Sequence, residues 1–231
     1  MKKYRHLFFD LDHTLWDYDR NVQEALSELF EIYALADMGV PSRQDFYKAF
    51  LEVNNGLWGD YNLGKIDKAT LRKVRFRRIF DHLGAQESPI PVEMEKDFMQ
   101  RTSSKPHLFP YSKEILTYLQ AKYELHVITN GFNESQTLKM TSSGIHSYFK
   151  LVVTSETTGH KKPDKRIFEY AMEQLGAKSE ECLMIGDNPV SDIQGAKNAA
   201  IDQVFFNPHN LENIPEATYT IFCLEELERI L

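Results

Sequence analysis

The stretch Leu7-Phe8-Phe9-Asp10-Leu11-Asp12-His13-Thr14-Leu15 lies near the start of this 231-residue chain and joins an apolar run to two aspartates. The apolar run predicts a buried strand, and Asp10 and Asp12 follow it directly. A strand that ends in such a turn can hold a divalent cation and can present one carboxylate as a nucleophile. The sequence therefore predicts that phosphate-binding groups follow other strands of the same sheet.

The second half of the chain alternates between strand-like and helix-like segments, which is typical of a parallel α/β fold. The predicted strands are Arg5–Phe9, Glu124–Ile128, Leu151–Thr154, Cys182–Ile185, Gln203–Phe206 and Tyr219–Phe222. The predicted helices between them are Ser112–Lys122, Glu134–Ser142, Lys165–Leu175 and Ser191–Ala199. We therefore expect a Rossmann-like core with a parallel sheet.

Between residues 19 and 103 the strand signals nearly vanish, and apolar residues such as Val22, Leu26 and Leu29 recur at helical spacing. A helical insert after the first strand fits this pattern better than a second α/β domain. We expect a catalytic core of residues 1–18 and 104–231, and a helical cap domain of residues 19–103.

The composition is that of an ordinary globular protein, with 42% hydrophobic residues, 26% charged residues and a net charge of -7. This charge argues against non-specific binding to a nucleic acid polymer. The apolar stretch after Met1-Lys2-Lys3 ends at Asp10 and is too short for a signal peptide or a membrane span, so we expect a cytoplasmic protein without membrane association. Cys182 and Cys223 both lie in apolar stretches and are expected to be buried free thiols.

Ligands of open α/β sheets gather at the carboxyl ends of the strands. Three further polar motifs are predicted at such positions: Thr129-Asn130-Gly131, Lys161-Lys162-Pro163, and Gly186-Asp187 with Asp192 beyond it. Each motif alone is an ordinary turn or helix cap. Their occurrence together, after the Asp10 and Asp12 pair, favours a phosphoryl-transfer site.

The four aspartates have separate predicted roles. Asp10 attacks phosphorus and forms an aspartyl-phosphate, which divides one difficult displacement into two easier ones. Asp12 protonates the leaving oxygen and then activates water. Because Mg²⁺ prefers oxygen ligands together with phosphate, the predicted metal ligands are Asp10, the main-chain carbonyl of Asp12 and Asp187. Asp192 is expected to anchor a lysine or a metal-bound water rather than to bind the metal directly.

Thr129 and the backbone amide of Asn130 are predicted to bind phosphate oxygens where a helix begins. Lys162 is preferred to Lys161 as the cationic partner of Asp10 and the phosphate, because Pro163 keeps the residue before it extended. The eight histidines show no zinc-ligand spacing and are interpreted as solvated or core residues.

With these motifs the chain resembles the haloacid dehalogenase-like (HAD) hydrolase superfamily over its whole length. The first motif of that superfamily, Asp-x-Asp-x-Thr, appears as Asp10, Asp12 and Thr14, and the others appear as Thr129, as Lys162, and as Gly186-Asp187 with Asp192. The resemblance implies a Rossmann-like core, an inserted α-helical cap of the C1 type, and Mg²⁺-dependent phosphatase chemistry. Asp12 matches the phosphatases and phosphomutases of the superfamily, whereas its dehalogenases lack this second aspartate.

Three segments resemble the YjjG/YfnB-type pyrimidine 5'-nucleotidases more closely: Val53–Tyr61, Ile128–Phe132 and Lys162–Phe168. This resemblance implies that the small phosphorylated substrate is a nucleoside monophosphate. A sugar-phosphate phosphatase, a phosphomutase and, in a different class, a non-catalytic phosphoacceptor module are the alternatives. Base preference, pathway and oligomeric state stay open at this point.

The helical insert carries candidate contacts to a nucleobase. Trp58, Tyr61 and Phe46 have aromatic faces that accept a stacked base, although such residues also build helical cores. Asn54 or Asn55 is a candidate for binding the edge of the base.

Overall fold

The computed structural model describes residues 4–85, 89–212 and 215–231. The strands are β1 (His6–Phe9), β2 (Glu124–Thr129), β3 (Phe149–Thr154), β4 (Cys182–Gly186), β5 (Asp202–Phe206) and β6 (Tyr219–Ile221). They form one parallel sheet in the order β3-β2-β1-β4-β5-β6. Because β1 lies between β2 and β4, the residues that follow these three strands meet at one edge of the sheet.

The chain forms two compact units, one of Met1–Tyr18 with Pro106–Leu231 and one of Asp19–Lys105. The second unit is helical, and its main helices are α1 (Tyr18–Ile32), α2 (Arg43–Asn62), α3 (Lys68–Leu83) and α4 (Met94–Ser103). The first unit contains the sheet together with α5 (Ser112–Gln120), α6 (Asn133–Ser142), α7 (Ser155–Thr158), α8 (Lys165–Leu175), α9 (Gly195–Asn198) and α10 (Leu227–Ile230).

The sheet is buried on both faces, as its apolar strands require. Leu7 and Phe9 point to one face, where they share an apolar cluster with Leu119 of α5. Phe8 points to the other face, where it shares a cluster with Ile167 and Phe168 of α8. Fully burying a side chain of this kind contributes about 1.5–3 kcal/mol, so both faces hold β1 in place.

Helix α8 has the bounds that its sequence predicts. The Asp164 carboxylate accepts a hydrogen bond from the Arg166 backbone amide at the first turn. Gly176 ends the helix in the left-handed conformation, with φ of 59°, which is accessible to glycine at little cost. Residues at both of its ends, Asp164 and Gly176, thus determine where helix α8 begins and ends.

The predicted parallel α/β fold is confirmed, and all six predicted strands are present with small differences at their ends. The segment predicted as one helix at Ser191–Ala199 instead begins with a π-helical turn, Pro189–Gln194, before α9. The reason is the Asn188 side chain, which accepts hydrogen bonds from the backbone amides of Val190 and Ser191 and so starts the turn earlier.

The expectation that both cysteines are buried is wrong for Cys223. Cys182 is buried in β4, whereas Cys223 follows the edge strand β6 and is exposed. An apolar run at the edge of a sheet is covered on fewer sides than one at its centre. Among the described residues, no helix is long and apolar enough to cross a membrane.

Candidate active site

Asp10, Lys162 and Asp192 meet at the carboxyl edge of the sheet. Asp10 directly follows β1, and its backbone amide donates a hydrogen bond to the Ile185 carbonyl of β4 at 2.9 Å. The Nζ of Lys162 lies 2.8 Å from Asp10 Oδ1 and 2.7 Å from Asp192 Oδ1. Lys162 is only 2% exposed and Asp192 is fully buried. The lysine therefore forms a buried ionic bridge between the two carboxylates.

The Asn130 side chain holds the backbone of Lys162 in place. The Lys162 backbone amide donates to Asn130 Oδ1 at 2.7 Å, and Asn130 Nδ2 donates to the Lys162 carbonyl at 2.9 Å. The Ser155 hydroxyl in turn donates to the Asn130 carbonyl at 3.0 Å. The loop after β2 thus positions the lysine that faces Asp10.

Three carboxylates converge on this edge. Oxygens of Asp10, Asp187 and Asp192 lie within 4.8 Å of one another. Burial raises the pKa of Asp10 to about 8 against the opposing charge of Lys162, and it raises the pKa of Asp187 to about 7, with a further contribution from Asp192 in both cases. Lys162 alone therefore does not keep both groups ionised. The oxygen donor set fits a divalent cation such as Mg²⁺, which would favour their carboxylate forms.

Gly186 and the Thr14 hydroxyl allow the acidic side chains of this cluster to pack closely. A Cβ atom on Gly186 would lie 2.3 Å from Asp192 Oδ2, so only glycine allows Asp192 to reach Lys162 here. The Thr14 hydroxyl donates to Asp187 Oδ1 at 2.9 Å, and the Asp187 backbone amide donates to the Thr14 oxygen at 3.2 Å. Thr14 therefore orients the Asp187 carboxylate.

Asp12 has a different set of partners from Asp10. Its Oδ1 lies 2.6 Å from Lys139 Nζ, and its Oδ2 accepts a hydrogen bond from Gln136 Nε2 at 2.9 Å. Burial acts to raise the pKa of Asp12, but the Lys139 ammonium and the Gln136 amide outweigh it and lower the pKa below its usual value. Asp12 is thus held as a carboxylate.

Thr129 shares the Gln136 amide with Asp12. Its Oγ1 accepts hydrogen bonds from Gln136 Nε2 at 2.8 Å and from the Gly131 backbone amide at 3.1 Å. A threonine hydroxyl has two acceptor positions and one donor. With both acceptor positions used, the Thr129 hydroxyl hydrogen remains for donation to an anion.

The structure brings together the predicted residues of the core motifs: Asp10, Asp12, Thr129, Asn130, Lys162, Asp187 and Asp192. Sequence reasoning did not identify Gln136 and Lys139. These two residues lie one turn apart on α6, on the face that also buries Ser135 and Met140. A lysine at a buried helical position is uncommon unless its charge is paired. The position of Lys139 on this face of α6 was therefore the sequence feature that could have indicated an acidic partner.

The predicted nucleobase contacts lie in the helical unit. Trp58 is partly exposed and packs edge-on against Tyr61, with 5.4 Å between the ring centroids. Tyr61 and Asn54 are buried. Phe46 is also buried and contacts Phe76 at 6.3 Å between centroids, as expected for a core residue.

Known proteins are similar to this chain over most or nearly all of its length. Residues 4–200 match the haloacid dehalogenase-like hydrolase family model. Pyrimidine 5'-nucleotidase PynA of Streptococcus pneumoniae is 35% identical, over 97% of this chain and 93% of that protein. Pyrimidine 5'-nucleotidase YjjG of Escherichia coli is 32% identical, over 99% of this chain and 98% of that protein.

A solved structure shows the same fold. The crystal structure of the HAD-hydrolase YfnB of Bacillus subtilis, bound to magnesium, aligns with a TM-score of 0.88 and 30% identity, over 100% of this chain and 99% of that chain. The alignment includes both the sheet and the helical unit. Because the family model covers most of the chain and these relatives align over nearly all of it, the chain belongs to the haloacid dehalogenase-like hydrolase family.

Proposed function

We propose that this protein is a Mg²⁺-dependent phosphomonoester hydrolase that works through an aspartyl-phosphate and acts on nucleoside 5'-monophosphates. The observation that carries the proposal is the unequal environment of the two aspartates. Asp10 lies against Lys162 and the acidic cluster, whereas Asp12 lies against Lys139 and Gln136. Pairs of carboxylates with such different surroundings divide nucleophilic and acid/base work between them.

The first step belongs to Asp10. Its carboxylate oxygen bonds to phosphorus while the bond from phosphorus to the leaving oxygen breaks, and Asp12 gives that oxygen a proton. Because Lys139 favours the carboxylate form of Asp12 in the resting site, this proton transfer depends on the negative substrate phosphate, which favours protonation of a neighbouring carboxylate.

The second step releases phosphate. Asp12, now a carboxylate, takes a proton from water as the water oxygen attacks phosphorus, and the bond from phosphorus to Asp10 breaks. Thr129 and the Asn130 backbone amide bind phosphate oxygens, and Lys162 offsets charge on the phosphate and on Asp10. Asp10, the Asp12 carbonyl and Asp187 would hold Mg²⁺, which would further neutralise the charge of the phosphate.

The substrate assignment rests on the relatives that are named as pyrimidine 5'-nucleotidases. We further propose that the helical unit serves as the cap and selects the substrate. Trp58 is the candidate for stacking on the base because it is partly exposed, whereas Tyr61 and Asn54 are buried and are better placed to support it. A sugar-phosphate phosphatase is the alternative within the family.

A substrate panel tests this proposal. Phosphate release is measured with ribo- and deoxyribonucleoside monophosphates and with common sugar phosphates, with and without Mg²⁺. We expect Mg²⁺-dependent release that is fastest with pyrimidine nucleotides and absent in Asp10→Asn. Faster release from sugar phosphates would remove the nucleotidase assignment, rearrangement without release would indicate a mutase, and Mg²⁺-dependent hydrolysis by Asp10→Asn would remove the proposed nucleophile.

A further inference from the structure

Two buried histidines lie side by side at the amino end of the sheet. His6 begins β1, Glu124 begins β2, and the strand register pairs these two residues. His126 lies two residues further along β2, points to the same face and is fully buried, while His6 is 2% exposed. His6 and His126 are 120 residues apart in sequence, which is why no local spacing indicated a cluster.

The three side chains have the separations of metal ligands. His6 Nδ1 lies 3.3 Å from His126 Nε2 and 3.9 Å from Glu124 Oε2, and the three donor atoms all lie within 4.8 Å of one another. Two nitrogens bound to tetrahedral Zn²⁺ at 2.0–2.1 Å are about 3.3–3.4 Å apart. The imidazoles therefore already have the required separation, and Glu124, whose side chain is 28% exposed, has room to move closer.

His126 has few polar groups around it apart from His6 and Glu124. Its other neighbours on this face of the sheet include the apolar residues Phe8, Ile128 and Met184. Within the described part of the chain, His126 Nδ1 has no hydrogen-bond partner. The partner of His126 Nε2 is His6 Nδ1. A metal ion bound by both of these nitrogens would take the place of that hydrogen bond.

The charge state also suits a metal ion. Burial lowers the pKa of both His6 and His126, and a metal ion binds the neutral form of an imidazole. Arg5 and Lys150 pair with Glu124 at 3.4 and 3.5 Å, but both are mostly exposed. Exposed ion pairs of this kind contribute about 0–1 kcal/mol, so a divalent ion can replace them.

We propose that His6, His126 and Glu124 bind Zn²⁺ or a divalent transition-metal ion with similar ligand preferences. Two imidazole nitrogens and one carboxylate oxygen form a donor set that suits Zn²⁺, Co²⁺ or Ni²⁺, whereas Mg²⁺ requires oxygen ligands. At about 3.3 Å per strand residue, the length of β1 places this histidine cluster roughly 13 Å from Asp10, so it is separate from the proposed catalytic site. The ion would link β1 to β2 and stabilise the folded protein.

The test is a metal titration of the full chain in excess Mg²⁺, which supplies the acidic cluster with its own ion. Zn²⁺ binding is measured by calorimetry against a competing chelator, and Co²⁺ binding by its visible absorption. We expect each chain to bind one metal ion at this cluster. Bound Co²⁺ should show a tetrahedral absorption spectrum, and Zn²⁺ should raise the melting temperature. Glu124→Gln should weaken this binding by about tenfold or more and His126→Gln should abolish it.

The matched control is Glu169→Gln, which changes another surface glutamate paired with a lysine, here Lys165 at 2.8 Å. This variant should bind Zn²⁺ as the unchanged protein does. Glu124→Gln alters only a partly exposed side chain and keeps the test valid if His126→Gln does not fold. Metal binding that is the same in Glu124→Gln as in the unchanged protein, or the absence of a tetrahedral Co²⁺ spectrum, would overturn the proposal.

Discussion

The Nζ of Lys139 lies 2.6 Å from Asp12 Oδ1, so the second aspartate of the first motif has an ammonium partner of its own. Lys139 is 7% exposed, and its charge also lies 4.5 Å from the centroid of the Trp16 ring. Asp10, by contrast, shares Lys162 with Asp192. The two aspartates are therefore held by separate cations, which lets their carboxylates be oriented independently.

Lys139→Met should lower kcat by about tenfold or more while changing KM less. General acid/base catalysis contributes about 10²–10⁴-fold, and part of this depends on the orientation of Asp12 that Lys139 maintains. Steady-state phosphate release with the best nucleotide of the panel measures the effect. Lys165→Met, which removes an exposed lysine paired with Glu169, is the control and should keep the original kcat. An unchanged kcat in Lys139→Met would show that Asp12 needs no such partner.

Gly131→Ala should reduce activity by displacing Gln136. A Cβ atom at position 131 would lie 1.8 Å from Gln136 Nε2, so the amide must swing away and lose its bonds to Asp12 and Thr129. We expect a fall in kcat similar to that of Gln136→Ala, with little further loss in the double variant, because both changes remove the same contacts. Kinetics of the two single variants and the double variant measure this.

The control for Gly131→Ala is Gly56→Ala, since a Cβ atom at that helical position meets nothing within 4 Å. It should keep full activity and gain a few tenths to about 1 kcal/mol of stability, because alanine favours a helix more than glycine does. Additive losses from Gly131→Ala and Gln136→Ala would instead mean that the two residues act separately.

The sequence predicted the sheet and its carboxyl edge because both follow from local patterns. Apolar runs such as Leu7-Phe8-Phe9 define strands, and a polar residue at a strand end lies at the edge of a parallel sheet whatever the order of the strands. Lys162 was identified because Pro163 marks its position before a helix. Such features depend on neighbours in sequence, and a single chain displays them.

Side-chain partners across the sheet were not predictable in this way. The contacts of Asp12 with Lys139 and of His6 with His126 join residues from distant parts of the chain. Whether a polar residue on a buried face has a partner depends on strand order and register, which the sequence pattern leaves undetermined. Asn130 shows the same limit, because its backbone amide was assigned to phosphate while its side chain holds Lys162.

Lys162→Met should lower kcat by about 10²–10³-fold and also destabilise the protein. The activity falls because the positive charge facing Asp10 is lost. The stability falls because Asp192 is fully buried and loses its ammonium partner, and breaking a buried ion pair in this way costs about 3–5 kcal/mol. Urea unfolding without added Mg²⁺ measures the second effect.

The double variant Lys162→Met with Asp192→Asn separates the two effects. It removes one of the two buried carboxylates that lose the Lys162 ammonium, while Asp10 stays unpaired. Part of the lost free energy of unfolding should therefore return while kcat stays low. Recovery of activity together with stability would mean that Lys162 has only a structural role.

Glu95 makes the stability of the protein depend on pH. Burial raises the pKa of this glutamate from 4.5 to about 7, against the opposing charges of Arg75 and Arg72 on α3. Between these values Glu95 binds a proton more strongly in the folded state than in the unfolded state, so its contribution to the free energy of unfolding falls as pH rises from about 4.5 to about 7. The shift in the pKa of Glu95 contributes at most about 3 kcal/mol to the free energy of unfolding, and this contribution is fully present below pH 4.5.

Glu95→Gln should remove this dependence, since glutamine does not titrate. Urea unfolding of the unchanged protein and the variant at several pH values between 5 and 8 gives the difference in their free energies of unfolding. As pH rises, the free energy of unfolding of Glu95→Gln should increase relative to that of the unchanged protein. This difference should become constant above about pH 7. Glu93→Gln is the control, because Glu93 is 63% exposed and its loss should leave the slope unchanged. Parallel pH profiles for the unchanged protein and Glu95→Gln would show that Glu95 is ionised in the folded state throughout this range.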